Sequence, residues 1–430
     1  MAEVRGALSR DVVIIGASVA GLHAAQTVAK VARELSVMVI GEEVRPRYDR
    51  PPSPWTALTR PTDLDATTLR SFGRLRDEGV DLRLGTRAVG LDVDRRELHL
   101  GKGTVSYGAL VLACGSEPAV PALLAGRPKV VTLGRREDLL SLRAALADTS
   151  ASVAVVGAGF AGGEVTSALA RSGRAVSLID VSPQPLGRFG AFVAESYTAL
   201  HEEAGVAQYF GDGVVDVLEA GRNRFLRLSS GALVPADVIV VGDGGRPSTG
   251  WLTSSGLTLR NGIVCDAELR AHEGVFAAGD VARWSNPRYG THMRGEHWTN
   301  AAEQGRIAGL NAARSVGGGS TESCATVPYL CSDQHGVRIQ FAGFLSGDER
   351  TLTRRTADGS IVLYGREDQL VGVLAFEHRS LFVELRTLLT DTVTWDTAME
   401  LVGAAISTSQ DEPRDPRLRH TSPTQGSESR

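Results

Sequence analysis

Short, unbroken apolar runs, each stopped by glycine or an acid, alternate with stretches of helical period along the first three quarters of the chain. Val12–Ile15 is such a run and ends at Gly16. A helical pattern opens at about Val19, and a second run, Ser36–Ile40, ends at Gly41-Glu42. Strand, glycine turn, helix and strand in this order predict a βαβ unit. The pattern returns from Ser152 to Ile179. Ala109–Ala113 predicts a buried strand closed by Gly115-Ser-Glu-Pro118, and Val238–Val241 one closed by Gly242-Asp-Gly-Gly245. Gly274-Val-Phe-Ala-Ala-Gly279-Asp280 predicts a short strand that stops at an acid. Continuous rather than alternating apolar runs are the mark of parallel sheets covered on both faces, so the fold class expected is α/β.

The pattern changes after Gly317-Gly-Gly-Ser-Thr-Glu-Ser323, which predicts a linker. Residues 325–405 alternate short strands and turns and then turn helical from about Leu381. Ser407 to Arg430 is rich in Ser, Pro, Arg and Glu, and predicts a disordered tail. At 430 residues the chain exceeds one core and is expected to form two or three domains. A net charge of −4 gives no reason to expect nucleic acid. No run reaches the length of a membrane span, and Val12–Ala32, broken by Gly16 and Gly21, predicts strand, turn and helix rather than a signal peptide. Cys114, Cys265, Cys324 and Cys331 form no Cys-x-x-Cys pair and no disulfide framework, which fits a cytoplasmic protein. No metal site is expected.

The two glycine turns carry the chemistry. Backbone N–H groups at a helix start favour a pyrophosphate, and glycine lets the chain approach it. In the first turn Gly16, Ser18, Ala20 and Gly21 form the cradle, with Ser18 in place of the middle glycine. Glu42, with Glu43 beside it, stands 26 residues past Gly16, where an acid grips a ribose hydroxyl. The second turn holds Gly157, Gly159 and Gly162, and its second strand ends at Asp180. An acid there favours a free 2′-hydroxyl, hence NAD(H) over NADP(H). Glu164 is expected in the first turn of the following helix, either compensating the helix dipole or facing the nicotinamide edge. Two cradles in one chain predict two dinucleotides, FAD and NAD(H).

In order along the chain, these segments resemble the FAD-dependent NADH:ferredoxin reductases of bacterial oxygenase and cytochrome P450 systems, the putidaredoxin-reductase-like and rubredoxin-reductase-like flavoproteins. The resemblance rests on Tyr48-Asp-Arg-Pro-Pro52, Ala113-Cys-Gly-Ser-Glu-Pro118, Gly157-x-Gly-Phe-Ala-Gly-Gly-Glu164 and Gly242-x-Gly-x-Arg-Pro247. It continues through Phe276-Ala-Ala-Gly-Asp280, Glu296-His-Trp-Thr-Asn-Ala301 with Gln304, and Val327-Pro-Tyr-Leu-Cys-Ser-Asp-Gln334. It implies a glutathione-reductase-like fold: an FAD domain in two parts (1–119 and 250–322) interrupted by an NAD domain (120–249), a C-terminal α+β domain (323–406), and the tail (407–430). It implies FAD contacts from the first turn, Glu42, Arg50, Ala88 and Asp280, with Trp298 covering the isoalloxazine. Asp280 at a strand end also reads as a plain helix N-cap.

The chain departs from the pattern near the flavin. The family continues Tyr-Asp-Arg-Pro-Pro with Leu-Ser-Lys, and the lysine, which pairs with the acid corresponding to Glu164, is Trp55 here. Trp55 either stacks on the flavin or fills the vacated volume. Arg50 is the nearest replacement cation, and a carboxylate left without a cation should have a raised pKa. Glu164, Trp55 and Arg50 are therefore the candidate catalytic residues. Cys331 stands where the family has a tryptophan proposed to lie on the route to the iron–sulfur partner, and is expected to be a buried structural cysteine, with a redox role as the alternative. Gly134 replaces an FAD-contacting arginine, a role open to Arg135 or Arg136, and Asp243 sits in an otherwise apolar turn. The activity implied is transfer of hydride from NADH and of single electrons to a small acidic ferredoxin-type iron–sulfur protein serving an oxygenase or cytochrome P450. Arg70, Arg74 and Arg76 are candidates for a basic docking face. An NADH oxidase, a tailoring flavin oxidoreductase or a non-catalytic flavoprotein are the alternatives.

Overall fold

The computed structural model describes residues 8–44, 71–134, 136–221, 223–356 and 358–408. They fall into two compact units that divide between Gly336 and Val337.

In the first unit the predicted βαβ repeats become two separate sheets. In one, Asp81–Leu84, Val37–Gly41, Leu8–Ile15, Thr104–Leu112 and Val275–Ala277 lie side by side in that order, all parallel. Val275–Ala277 thus returns to a sheet begun more than 160 residues earlier, after the chain has built the second one. That second sheet, also parallel, runs Ala207–Phe210, Val176–Asp180, Val153–Val156, Val238–Val241, Val130–Val131. Successive residues of its central strand feed opposite cores: Val153 and Val155 pack with Leu178 and Val240, and Ala154 with Ile179 and Ile239. This is why the strand reads as a continuous apolar run.

Two strand-closing motifs join the sheets. Ser116–Pro118 and Gly245–Pro247 pair antiparallel, with Pro247 opposite Ser116 and Gly245 opposite Pro118. Both crossings of the chain between the sheets are thereby bound into one ribbon. Gly134 packs against it, since a Cβ there would stand 2.8 Å from the Pro118 ring.

The helix Trp298–Gly317 crosses Val19–Val31 with almost no side chains between. A Cβ on Gly305 would lie 2.2 Å from the Ala20 carbonyl oxygen, and one on Gly309 2.4 Å from that of Ala24. The stretch expected to be a linker is tied down instead. Gly317 ends the long helix. Asn311 then accepts from the Glu322 N–H at 2.8 Å and donates to the Glu268 and Glu322 carbonyls at 2.8 and 2.9 Å. Trp284 donates to the Cys324 carbonyl at 3.0 Å. A fully buried amide paired at each end holds the strap against the fold.

The second unit is an antiparallel sheet in the order Val337–Gly343, Gln369–Phe376, Gly359–Arg366, Arg350–Thr356, with helices Arg379–Leu388 and Trp395–Thr408. The last helix carries Ser407 and Thr408, so these two residues do not belong to the expected tail; residues 409–430 lie outside the described residues. Gly365 makes room for Trp395, whose ring a Cβ would meet at 2.4 Å. Arg350 covers the same ring from 4.4 Å.

The helix crossing is testable within one helix. Gly305→Ala places a methyl against backbone that cannot yield and should cost about 1–3 kcal/mol. Gly317→Ala has no neighbour within 4 Å and should be neutral or stabilising by about 0.5 kcal/mol. Thermal unfolding of the two variants beside the parent checks both; equal melting temperatures would contradict the crossing.

Candidate active site

The two glycine turns have the same construction. Gly16 and Gly157 have φ of +110° and +107°, a backbone that glycine alone adopts freely. Their N–H groups donate to the ends of the neighbouring strands, Gly16 to Ile40 at 2.7 Å and Gly157 to Ile179 at 2.8 Å. A Cβ on Gly21 would meet the Gly16 oxygen at 1.8 Å, and one on Gly162 the Gly157 oxygen at 1.8 Å. First and last glycines thus seat the helix on its own turn. The middle positions differ in kind. A Cβ on Gly159 would have no described atom within 4 Å, so the lack of a side chain there is not demanded by packing. It is what close approach by a pyrophosphate requires. Ser18, the N-cap of its helix, has extended backbone, and its short side chain fits the same place. Neither helix has an acid in its first turn, which leaves both positive helix ends to an anion.

The residues expected around the first cradle converge on it. Ser116 donates to Asp280 Oδ2 at 2.9 Å, which joins two motifs 164 positions apart. Gly279 faces Ala20, 3.1 Å from its would-be Cβ, and its N–H donates to Gln304 at 2.8 Å. Gln304 is fully buried, and its Nε2 has no protein partner among the described residues. A buried orphan donor beside an acid and a helix N-terminus fits a bound cofactor acceptor. Asp280 lies in the short helical turn Gly279–Val281 whose N-cap is Ala278, so it is not itself the cap. Trp298 opens the long helix, is 43% exposed, and meets His23 edge-on at 6.3 Å. Glu42 is exposed at the end of its strand, 3.8 Å from Arg87, and Ala88 follows that arginine.

At the second cradle Asp180 is held in place by its own surroundings. Its Oδ2 accepts from the Ala158 N–H in the glycine turn at 2.6 Å, and its Oδ1 from Ser182 at 2.7 Å. Asp243 lies near enough for its carboxyl to be held above the usual range, by burial first and then by the Asp180 charge. Two carboxylates at this mouth disfavour a 2′-phosphate.

Glu164 is one residue past the first turn of Phe160–Arg171, so the dipole role expected for it falls away. It turns to the strand Tyr329–Gln334. Burial pushes its carboxyl up to about 7, while hydrogen bonds from the Ser332 side chain and the Asp333 backbone pull it down and the Asp333 charge raises it. The raised value expected of this acid is present, with burial as its main cause. Behind Ser332 runs a polar chain that the sequence reading missed. Gln334 Nε2 donates to Ser332 Oγ at 2.9 Å, Gln334 Oε1 is 3.0 Å from His201 Nε2, and His201 Nδ1 is 3.0 Å from His335 Nε2. The one available sign was Gly163, a glycine that the fingerprint does not demand. A Cβ on it would strike Gln334 Oε1 at 2.5 Å and the Tyr197 hydroxyl at 2.6 Å.

The four cysteines are free thiols. Burial pushes Cys114 up to about 12 and Cys324 to about 11, far from a thiolate nucleophile. Cys331 is exposed, which corrects the expectation of a buried structural cysteine: as the third residue of Tyr329–Gln334 it points away from the face that buries Ser332 and Gln334. Arg74 and Arg76 are exposed on the helix Ser71–Asp77, which buries Phe72 and Leu75. Arg50, Trp55 and the Tyr48–Pro52 motif, together with Arg70, Arg135 and the Arg136 side chain, lie outside the described residues. Among the described residues no helix is long and apolar enough to cross a membrane, and no cluster of metal-ligating side chains occurs.

Residues 10–305 match the family described as pyridine nucleotide-disulphide oxidoreductase, and residues 329–405 match the reductase C-terminal family. Rhodocoxin reductase of Rhodococcus erythropolis is 31% identical, over 82% of this chain and 82% of its own. The ferredoxin–NAD(+) reductase component of the anthranilate 1,2-dioxygenase system of Burkholderia cepacia is 31% identical, over 82% of this chain and 87% of its own. The structure of the covalent putidaredoxin reductase–putidaredoxin complex superposes with a TM-score of 0.83 at 25% identity, over 92% of this chain and 99% of that one. Twin glycine cradles on the parallel strands of two sheets, with a reductase C-terminal unit after them, place the chain in the pyridine nucleotide-disulphide oxidoreductase family, among its FAD- and NAD(H)-using ferredoxin and rubredoxin reductases.

Proposed function

We propose that the protein takes hydride from NADH and passes single electrons to a ferredoxin-type iron–sulfur protein that serves an oxygenase or cytochrome P450. The observation that carries this reading is the pair of like-built cradles in a chain whose cysteines form no redox pair. Electrons collected from a nicotinamide then have no internal disulfide to reduce and leave for a separate carrier. Free thiols throughout agree with a cytoplasmic location. The exposed Arg74 and Arg76 offer positive charge to an acidic partner.

Residues of the first cradle would hold FAD: the Gly16–Gly21 turn on the pyrophosphate, Glu42 on the ribose, Asp280 and Gln304 on the ribityl region, Trp298 over the ring. Bound FAD supplies the step from two-electron to one-electron chemistry. The second cradle receives NADH, with Asp180 on its ribose hydroxyls and Glu164 toward the nicotinamide edge. The domain limits that go with this reading are 1–119 and 250–322 for FAD and 120–249 for NAD(H), with a C-terminal domain from 323 to the end of the last helix at Thr408.

Anaerobic titration of the purified yellow protein is the direct test: NADH should bleach the flavin band and NADPH should bleach it poorly. No bleaching by either would sink the reading, and rapid peroxide formation without ferredoxin would turn it toward an oxidase. Asp180→Asn removes the charged acceptor and should raise KM for NADH roughly 10–100-fold with a smaller change in kcat, as read in steady-state assays with added ferredoxin.

Glu164 also makes a prediction about stability. Its folded pKa, about 7, lies above the ordinary 4.5. The folded state therefore has its full share of stability below about pH 4.5 and loses it as pH rises through 7. Glu164→Gln removes that loss, so the variant should match the parent near pH 5 and exceed it near pH 8 by roughly 2–3 kcal/mol. Melting temperatures across the pH range check it; a uniform offset at all pH values would contradict the assignment.

A further inference from the structure

The polar chain behind Glu164 has a direction. Gln334 uses its Nε2 to donate to Ser332 Oγ, so its Oε1 is left to accept from His201 Nε2–H. His201 is then the Nε2–H tautomer, and its Nδ1 accepts from His335 Nε2–H. Ser332, having accepted from Gln334, has its own proton to give to Glu164. Four successive donors thus point the same way, toward one carboxylate. Both imidazoles are neutral near pH 7: burial, aided at His335 by the charge of Arg171, lowers each to about 4. The chain therefore acts through aligned dipoles, not through a cation.

Its construction is specific. Ser332 and Gln334 are buried, and so is His201, against which the Tyr197 ring packs at 4.6 Å. His335 ends the chain in a left-handed backbone, φ +50°, fixed by donation of its N–H to Ser167 Oγ at 2.6 Å. Gly163 lacks the side chain that would displace Gln334. Polar groups buried with this degree of satisfaction polarise one another and hold a single arrangement.

We propose that Ser332, Gln334, His201 and His335 form a hydrogen-bonded strut that holds Glu164 as an ionised, oriented carboxylate beside the nicotinamide ring. The four are positioning residues, and the inference rests on the reading that Glu164 faces the nicotinamide edge. When NADH gives up hydride, the hydrogen and the electron pair of the broken C–H bond would go together to bound FAD, and the nicotinamide ring is left with a positive charge. A fixed carboxylate next to it stabilises that charge as it develops. Burial and the Asp333 charge work against the ionised form; the strut opposes them without placing a second cation in the pocket. No other titratable group acts on Glu164 among the described residues, while His201 feels His335, and His335 feels Arg171.

The FAD-loaded protein tests this without turnover. The protonated carboxyl stretch of Glu164, identified by its loss in Glu164→Gln, is followed against pH by infrared difference spectroscopy, and NAD+ affinity is measured over the same range. Ser332→Ala removes the last donor and should raise the titration midpoint by about one pH unit. His335→Asn keeps a residue that tolerates the left-handed backbone but is too short to reach His201. It should raise the midpoint by a few tenths and weaken NAD+ binding at pH 7 by about two-fold, with NADH binding little changed. A midpoint unmoved in both variants overturns the strut. Midpoints that move while NAD+ affinity stays flat with pH overturn the placement of Glu164 at the nicotinamide. Failure of NADH to bleach the flavin is a separate result, which strikes the proposed activity and leaves the midpoints as measured.

Discussion

The close crossing of Val19–Val31 by Trp298–Gly317 is the contact on which the first cradle depends. One helix starts at the Gly16 turn; the other starts at Trp298 and carries Gln304. They begin 279 residues apart along the chain. Gly305 and Gly309 reduce one helix surface to bare backbone opposite Ala20 and Ala24. Small residues four apart lie on one helix face, so the two helices can approach until their backbones touch. That approach brings Gly279 against Ala20 and sets Asp280 beside the glycine turn. Any side chain at Gly305 would lever the two halves of the first sheet's domain apart and open the cradle. Hydrophobic burial holds the sheet together, but this steric allowance decides where the residues proposed to hold FAD stand.

The second cradle is held differently. Its sheet is continuous in sequence, and its turn is fixed by the acid proposed to read the ligand: Asp180 accepts from Ala158 in the turn itself. The carboxylate thus arrives preoriented, its rotamer already locked by backbone donors. A group that must discriminate one hydroxyl from one phosphate gains most from such fixation, because little ordering remains to be done on binding. Asp243, whose backbone lies against Gly157 of the turn, has its own carboxyl held up by burial and then by the Asp180 charge.

Much of this was legible in the sequence because strand-closing glycines and acids are local signals. Each apolar run, its stop and its following helix could be placed from a window of a dozen residues, and both cradles follow from them. The pairing of Ser116–Pro118 with Gly245–Pro247 was not legible, since neither triplet has strand character and only their partnership makes them strands. The same holds for Gly305 and Gly309: a glycine four residues from another reads as weak helix until the facing alanines are known. The apparent linker at Gly317–Ser323 misled for the converse reason. Its composition is that of a loose segment, yet a buried asparagine from the preceding helix supplies the hydrogen bonds that composition cannot show.

Glu164 shows most clearly how local reading and tertiary packing divide the work. From its place after a glycine turn it reads as a helix-start acid, and on that reading its charge would be stabilised by the dipole. One further residue of helix moves it out of the first turn and against Ser332 and Asp333. Its ionisation is then decided by burial on one side and by donors on a distant strand on the other. Burial outweighs the donors, so its carboxyl stands at about 7 instead of in the usual carboxylate range. A carboxylate intended only to hold structure would gain nothing from that balance and would be more stable paired with a cation or replaced by an apolar residue. On the reading proposed above, that setting serves a charge that appears at the nicotinamide during turnover.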